Sequence, residues 1–160
     1  MAFRISRSLG LLLGLALSFT PALAAAQEDE KPLVEYRQKL MTGQRASMAS
    51  IGDILKFKLP YSSHIAIHAR NISEYSKLIA DAFKKEAMGA PNDAKVEIWK
   101  NPDDFAAKAK AVSELSAKLA EVAGGGDMKA IVPQVTALGD ACKSCHNLYR
   151  KPEEESYKRK

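Results

Sequence analysis

The 160-residue chain is poor in aromatic residues, which make up only 7% of it, and it has few β-branched residues. Because strands favour both of these residue types, a sheet-rich core is hard to build from this composition. The nine glycines and seven prolines are too few for a low-complexity or collagen-like chain. With 46% hydrophobic and 27% charged residues, the composition is that of an ordinary globular protein, and helices are the expected elements.

The one long apolar stretch lies at the N-terminus. Residues 1–26 combine two early arginines, an apolar run from Leu9 to Phe19 and a small-residue end. This order is typical of a secretory signal peptide, and the run is shorter than the roughly 20 residues of a membrane span. We therefore expect cleavage after Ala24 or Ala26, a mature domain of residues 27–160 in the periplasm, and no membrane-spanning segment after cleavage.

The charge of the chain is only moderately positive. Lysine and arginine exceed aspartate and glutamate by five, and two of these positive charges belong to the predicted signal peptide. So small an excess does not predict a nucleic-acid partner. Residues 152–160, which we call the C-terminal tail, are strongly charged and are expected to be solvated.

Apolar residues recur at three- and four-residue steps in four stretches, a pattern that predicts four helices. Four helices of about 20 residues joined by short links favour an all-α, antiparallel four-helix bundle, whose core can enclose a cofactor. The stretches run from about Pro32 to Lys58, from Ser62 or Ser63 to about Met88, from Asn101 to Gly124 and from Asp127 to about Lys151.

Capping residues support two of these helix starts. Asn101 can cap the third helix with Pro102 in its first turn, and Asp127 can cap the fourth. Pro133 lies within the fourth stretch. Because proline lacks a backbone donor and clashes with the preceding turn, the fourth helix is expected to begin near Val132 or to bend there.

The only two cysteines of the chain lie in the motif Cys142-Lys143-Ser144-Cys145-His146. This spacing is used to attach c-type haem: each thiol adds to a porphyrin vinyl group, and the histidine supplies an axial nitrogen to iron. Residues three apart on a helix have Cβ atoms about 5–6 Å apart, so both sulfurs can reach one porphyrin edge. We predict one haem c, attached by two thioethers to Cys142 and Cys145 and ligated by His146.

Three other interpretations of the motif are weaker. A thioredoxin-like dithiol needs a βαβ context, which the helical pattern does not provide. A structural zinc site needs a fourth ligand and normally a second paired motif. A disulfide between Cys142 and Cys145 is geometrically allowed, but it leaves His146 unexplained.

The haem motif on the last of four helices resembles the class II c-type cytochromes, the cytochrome c′ and cytochrome c-556 group. The segment from Leu138 to His146, followed by Tyr149-Arg150-Lys151, resembles the last helix of that family. Tyr36-Arg37 with Met41 resembles its first helix, and Ile98-Trp99 leading to Phe105 resembles the loop before its third helix. Trp99 is expected to pack this loop over the bundle without needing to touch the haem.

The second axial ligand decides what the iron does. Resemblance to the low-spin c-556 branch implies that Met41 coordinates iron opposite His146, although methionines are also common core fillers. Met48, on the same face two turns later, is the reserve thioether, and the pair His64 and His68 is a weaker candidate for haem or metal ligation.

Arg37 is the candidate for binding a haem propionate. A guanidinium can hold a carboxylate through two hydrogen bonds, and the resemblance implies an arginine at this position. A solvent-facing arginine is the alternative interpretation.

These residues predict a periplasmic electron-transfer cytochrome with one low-spin, His/Met-ligated haem, and not an enzyme. Its partners would be redox proteins steered by lysines such as Lys143 and Lys151. Pairing into a homodimer is left open. The alternative is a five-coordinate, cytochrome c′-type haem protein that binds nitric oxide or carbon monoxide, which applies if Met41 does not ligate the iron.

Overall fold

The computed structural model describes the backbone of residues 22–159 and the side chains of residues 30–158. The predicted signal peptide lies mostly outside these residues. No helix in the described range is long and apolar enough to cross a membrane. The helices are α1 (Ala22–Lys56), α2 (His64–Ala82), the single turn α3 (Glu97–Lys100), α4 (Pro102–Gly124) and α5 (Met128–Tyr149).

The four long helices form the predicted antiparallel bundle, so the all-α fold class is confirmed. Backbone contacts join α1 to α2, α2 to α4, and α4 to α5 along their lengths. By contrast, the backbones of α1 and α5 come close at very few positions. The bundle is therefore least closely packed between the helix that carries Arg37 and Met41 and the helix that carries the haem motif.

Two large groups of buried apolar residues fill most of the interior, and a third, smaller group joins Val34 to Ala87 and Ala90. The first, which we call the bundle core, is built largely of isoleucine and leucine and includes Ile51, Ile65, Ile72, Leu119 and Leu138. Full burial of each such side chain contributes about 1.5–3 kcal/mol. The second, which we call the motif-end cluster, lies near the end of α5 and consists of Ile79, Phe83, Ile98, Phe105, Ala109 and Tyr149.

The helix ends differ in part from those predicted. Helix α1 contains Pro32 instead of beginning there, and it ends at Lys56. Lys58 adopts a left-handed φ of 51°, and the Leu59 N–H donates to the Ile54 carbonyl at 3.0 Å. This is the hydrogen-bond pattern of a Schellman turn, and it reverses the chain just before Pro60.

Helix α2 ends at Ala82, well short of the predicted Met88. The last carbonyls of a helix have no partner within the helix and must find one elsewhere. Here the Ala82 carbonyl accepts a hydrogen bond from Arg37, and the carbonyls of Phe83 and Lys85, just beyond the helix, accept from Trp99 and Arg37. Partners that are distant in sequence thus help to fix the end of this helix.

Helices α4 and α5 begin at the predicted residues. Pro102 is the first residue of α4, although the Asn101 side chain donates to Glu97 instead of capping the helix. The Asp127 carboxylate accepts a hydrogen bond from the Lys129 N–H at 2.9 Å and caps α5. The alternative start near Val132 is wrong, because α5 runs continuously through Pro133. Pro133 is exposed, so water can bind the carbonyl that it leaves without a partner.

Most described residues of the C-terminal tail are exposed, in keeping with the expected solvated end, but the tail also has local structure. It forms two short 3-10 turns, Glu153–Glu155 and Tyr157–Arg159, and Ser156 between them is buried.

Candidate functional site

The two cysteines lie on α5 where the two apolar groups meet. Both thiols are free and half-buried. Cys142 packs against the bundle core, and Cys145 packs against the motif-end cluster. The predicted attachment sulfurs therefore face the protein interior along one side of α5.

The environment of these thiols does not favour dithiol chemistry. Burial raises the pKa of Cys142, and burial is also the main cause that raises the pKa of Cys145 to about 11, which nearby Lys108 partly opposes. Reactive redox cysteines have a lowered pKa, because only the thiolate is nucleophilic. In the described part of the chain no three His, Cys, Asp or Glu side chains could hold a metal ion together. The thioredoxin and zinc alternatives therefore gain no support.

His146 follows Cys145 directly on α5. Although the residue as a whole is exposed, desolvation by surrounding protein atoms lowers the pKa of His146, and the positive charge of Arg150 lowers it further. A lowered pKa keeps the imidazole neutral at pH 7. The neutral ring has the free nitrogen lone pair that binds iron.

The register of α1 against α5 distinguishes between the two candidate methionines. A Cβ on Gly139 would lie 3.8 Å from the Cε of Met48, so these residues are neighbours across the two antiparallel helices. Both helices rise about 1.5 Å per residue. Met41 precedes Met48 by the same seven residues by which His146 follows Gly139. Met41 is therefore at about the same height in the bundle as His146.

Met41 also has the more suitable neighbours. It is half-buried and packs against the motif-end cluster, as Cys145 does. Met48 packs against the bundle core instead. Of the two thioethers, Met41 is the one that shares an apolar environment with the residue preceding His146.

The histidine pair lies elsewhere. His64 is the first residue of α2 and stacks on Tyr61, with ring centroids 5.0 Å apart. His68 is half-buried one turn later. Helix α2 is about 27 Å long, and its other end carries Ala82 and Phe83 beside Arg37. The structure therefore does not bring His64 and His68 to the motif end of the bundle.

Arg37 is buried, with only 4% of its surface exposed. Its Nε donates to the Ala82 carbonyl at 2.8 Å, and its Nη2 donates to the Lys85 carbonyl. The guanidinium carbon lies 4.6 Å from the centre of the Phe83 ring and 5.6 Å from that of Trp99. The solvent-facing alternative for Arg37 is therefore wrong.

One donor of this guanidinium has no partner. Nη1 of Arg37 is buried and makes no hydrogen bond. Leaving a buried charged donor unpaired costs several kcal/mol, so such a group is normally matched by an acceptor. A haem propionate is an acceptor of the right charge, and the position of Arg37 level with the end of α5 fits this role. The residues present are thus compatible with the predicted haem.

Sequence reasoning missed the residues that hold Arg37 and the motif end in place. The indole Nε1 of Trp99 donates to the Phe83 carbonyl at 2.7 Å, so Trp99 does more than pack a loop. The Tyr149 hydroxyl donates to Asp104 at 2.5 Å, and its ring packs edge-on against Phe105. Tyr149 and Asp104 are far apart in sequence, and no local pattern joins them.

The bundle and the haem motif on its last helix define a four-helix c-type haem protein. Residues 32–150 match the model of the cytochrome c′ family, so the chain belongs to that family. It is 34% identical over 145 residues to cytochrome c-554 of Cereibacter sphaeroides, covering 85% of this chain and 94% of the relative. It is 31% identical over 134 residues to cytochrome c′ of Rhodospirillum rubrum, covering 83% and 91%.

The fold is likewise similar to that of a solved cytochrome c prime. The nitric oxide complex of a variant from Alcaligenes xylosoxidans has a TM-score of 0.68 and 27% identity, covering 77% of this chain and 97% of that one. Family membership confirms the predicted resemblance and a haem c cofactor. The comparisons fit the alternative, c′-type function better than the predicted His/Met electron carrier.

Proposed function

We propose that this protein is a periplasmic, c′-type haem protein that binds a diatomic gas such as nitric oxide or carbon monoxide. In this proposal one haem c is attached by thioethers to Cys142 and Cys145, His146 is the axial ligand, and Arg37 binds a propionate. When bound, the haem iron supplies gas binding or the gain and loss of one electron.

The observation that carries this proposal is the apolar motif-end cluster at the height of His146. Met41 packs against this cluster, whose buried members include Ile79, Phe83 and Phe105. Apolar side chains of this kind exclude water and favour a small uncharged gas over a polar ligand. The resemblance to a cytochrome c prime whose nitric oxide complex is known gives independent support.

Binding is favoured over catalysis by the chemistry of the same cluster. Its one titratable member is Tyr149, and burial together with the hydrogen bond to Asp104 raises the pKa of Tyr149 to about 12. A phenol with so high a pKa is a poor proton donor near neutral pH. The cluster is therefore suited to enclosing a ligand and not to proton transfer.

A second function is favoured by one specific observation. Because Met41 is level with His146 and shares the cluster with Cys145, its thioether is the best-situated sixth ligand among the candidate residues. If Met41 occupies that position, the protein is a low-spin electron carrier and gas binding is blocked. The two functions differ only in whether the Met41 thioether ligates the iron or leaves that position open to a gas.

Visible spectra of the matured protein separate the two functions. We expect a mass equal to the polypeptide plus one haem, a high-spin reduced spectrum, and a prompt spectral change under carbon monoxide. A split low-spin spectrum that carbon monoxide leaves unchanged would overturn gas binding and support the electron carrier. In that case Met41→Ala should convert the protein to the high-spin, gas-binding form, whereas the matched control Met48→Ala should not.

Contacts with redox proteins remain part of the proposal for the electron carrier. Lys143 is exposed and available for docking, whereas the Lys151 ammonium already donates to the Asn92 carbonyl at 3.1 Å. Electrostatic docking is screened by salt, so Lys143→Gln should slow reduction by an acidic donor protein at low ionic strength and not at high ionic strength.

Sedimentation velocity tests pairing into a homodimer.

A further inference from the structure

The C-terminal tail is tied to the connection between α2 and α3 by one carboxylate. Asp93 accepts hydrogen bonds from the Ser156 hydroxyl and from the Tyr157 N–H, both at 3.0 Å. It also pairs with Nη2 of Arg150 at 3.4 Å. The Asp93 side chain is only 13% exposed, and Ser156 is only 4% exposed.

Backbone hydrogen bonds keep Asp93 beside the end of α5. The Lys95 N–H donates to the Tyr149 carbonyl at 3.0 Å, and the Lys151 N–H donates to the Asp93 carbonyl at 2.7 Å. Ala94 and Arg150 form an isolated antiparallel bridge between these segments. The carboxylate of Asp93 is therefore held in one place relative to Arg150.

Arg150 in turn lies one helical turn beyond His146. Its N–H donates to the His146 carbonyl at 3.0 Å, which continues the pattern of α5. Arg150 is the C-cap residue of α5, and its own backbone is extended. Its guanidinium is the first positive charge that follows His146 in the chain, and the pairing with Asp93 fixes it at the end of α5.

We propose that Asp93 is a positioning residue that holds Arg150 beside His146, and that the C-terminal tail keeps Asp93 in place. This inference rests on the proposed role of His146 as axial ligand. Asp93 and Arg150 lie within residues 32–150, which match the family, whereas Ser156 and Tyr157, which hold Asp93, lie beyond that match. The consequence of this arrangement is a tuned reduction potential, because a nearby positive charge favours the less positive, reduced iron.

The buried carboxylate distinguishes this ion pair from an ordinary surface pair, although the Arg150 side chain is about half exposed. Exposed pairs contribute little, since two long side chains must be ordered in solvent. Here Ser156 and Tyr157 hold the carboxylate already, so only the Arg150 side chain has to be ordered. Loss of the carboxylate should leave Arg150 free to move into solvent.

The test measures how Arg150→Gln changes the reduction potential in two backgrounds of the haem-loaded protein. In the wild-type background we expect the ratio of reduced to oxidised iron at fixed ambient potential to fall about threefold, the order of magnitude for the loss of one solvent-screened unit charge. Since tenfold corresponds to about 59 mV, this is a shift of roughly 30 mV. In the Asp93→Asn background Arg150→Gln should change the ratio very little.

The matched control is Glu154→Gln, which also removes a negative charge, but from an exposed residue of the tail. In that background Arg150→Gln should keep its full effect. An equal effect of Arg150→Gln with and without Asp93, or no effect in the wild type, would overturn the inference.

Ser156→Ala gives a second test that changes no charge and remains available if Asp93→Asn fails to fold. Because Ser156 helps to hold Asp93, this substitution should lower the reduction potential to a value between those of the wild type and of Arg150→Gln. A merely structural role would lower the melting temperature and leave the potential unchanged. Failure of the proposed function looks different, because the wild-type protein would then lack covalently bound haem or His146 ligation.

Discussion

The aromatic ring of Tyr75 on α2 lies directly against Gly43 on α1. A Cβ built on Gly43 would come within 2.7 Å of two ring carbons of Tyr75, which is closer than real Cβ contacts. Glycine inside a helix normally costs about 0.5–1 kcal/mol relative to alanine. In this position the glycine allows the ring to pack between the helices two residues from Met41.

Gly43→Ala should therefore fail to give the stability that alanine normally adds to a helix. The matched control is Gly52→Ala on the same helix, where a Cβ would meet nothing within 4 Å. In urea unfolding we expect Gly52→Ala to stabilise the protein by about 0.5–1 kcal/mol relative to the wild type. The Gly43→Ala variant should be less stable than the Gly52→Ala variant by about 1 kcal/mol or more. In a Tyr75→Ala background this difference should disappear, and its persistence there would contradict the explanation.

Trp99→Phe should weaken the end of α2. The substitution keeps an aromatic ring near Arg37 but removes the donor that satisfies the Phe83 carbonyl. Because Phe83 is buried, we expect a loss of about 1–3 kcal/mol in the free energy of unfolding, measured by circular dichroism in urea. Unchanged stability would mean that water replaces the indole donor.

The haem motif and the four helices could be predicted because their signals are local. The Cys-x-x-Cys-His spacing lies within five residues, and the apolar period of each helix is complete within its own stretch. Asp127 likewise caps α5 through a neighbour two residues away. Local chemistry of this kind needs no knowledge of the rest of the fold.

The end of α2 and the ordered tail could not be predicted for the opposite reason. Helix α2 stops where Arg37 binds its last carbonyl and Trp99 binds the carbonyl that follows, and Arg37 lies 45 residues before Ala82. The tail is held by Asp93, which lies 63 residues before Ser156. The charge of the tail predicts its exposure but not this contact, because Asp93 lies on a distant loop.

Tyr149 should make the protein sensitive to high pH. Burial is the main cause that raises the pKa of Tyr149 from 10 to about 12, and the hydrogen bond to Asp104 adds to it. The folded state therefore keeps a proton that the unfolded state loses, so this contribution to stability is complete below about pH 10 and declines from pH 10 to 12.

The measurement is the urea midpoint of wild type and Tyr149→Phe between pH 9 and 11.5. The variant lacks the titrating phenol, so the stability advantage of the wild type should shrink steadily above about pH 10. Other groups titrate in this range, but the difference between the two proteins removes their common contribution. A constant difference over the whole range would show that Tyr149 titrates alike in the folded and unfolded states.

Arg37→Lys keeps the positive charge of the side chain but should still lower the stability of the protein markedly. The Arg37 guanidinium donates to both the Ala82 and Lys85 carbonyls and lies over the ring of Phe83. The ammonium of lysine has no planar fork and cannot reproduce this geometry. We expect a loss of about 1.5–3 kcal/mol in urea unfolding of the haem-loaded protein. Arg45→Lys, an exposed position on the same helix, is the matched control and should change stability by less than about 0.5 kcal/mol. Equal effects of the two substitutions would mean that charge alone, and not the fork of Arg37, joins α1 to the end of α2.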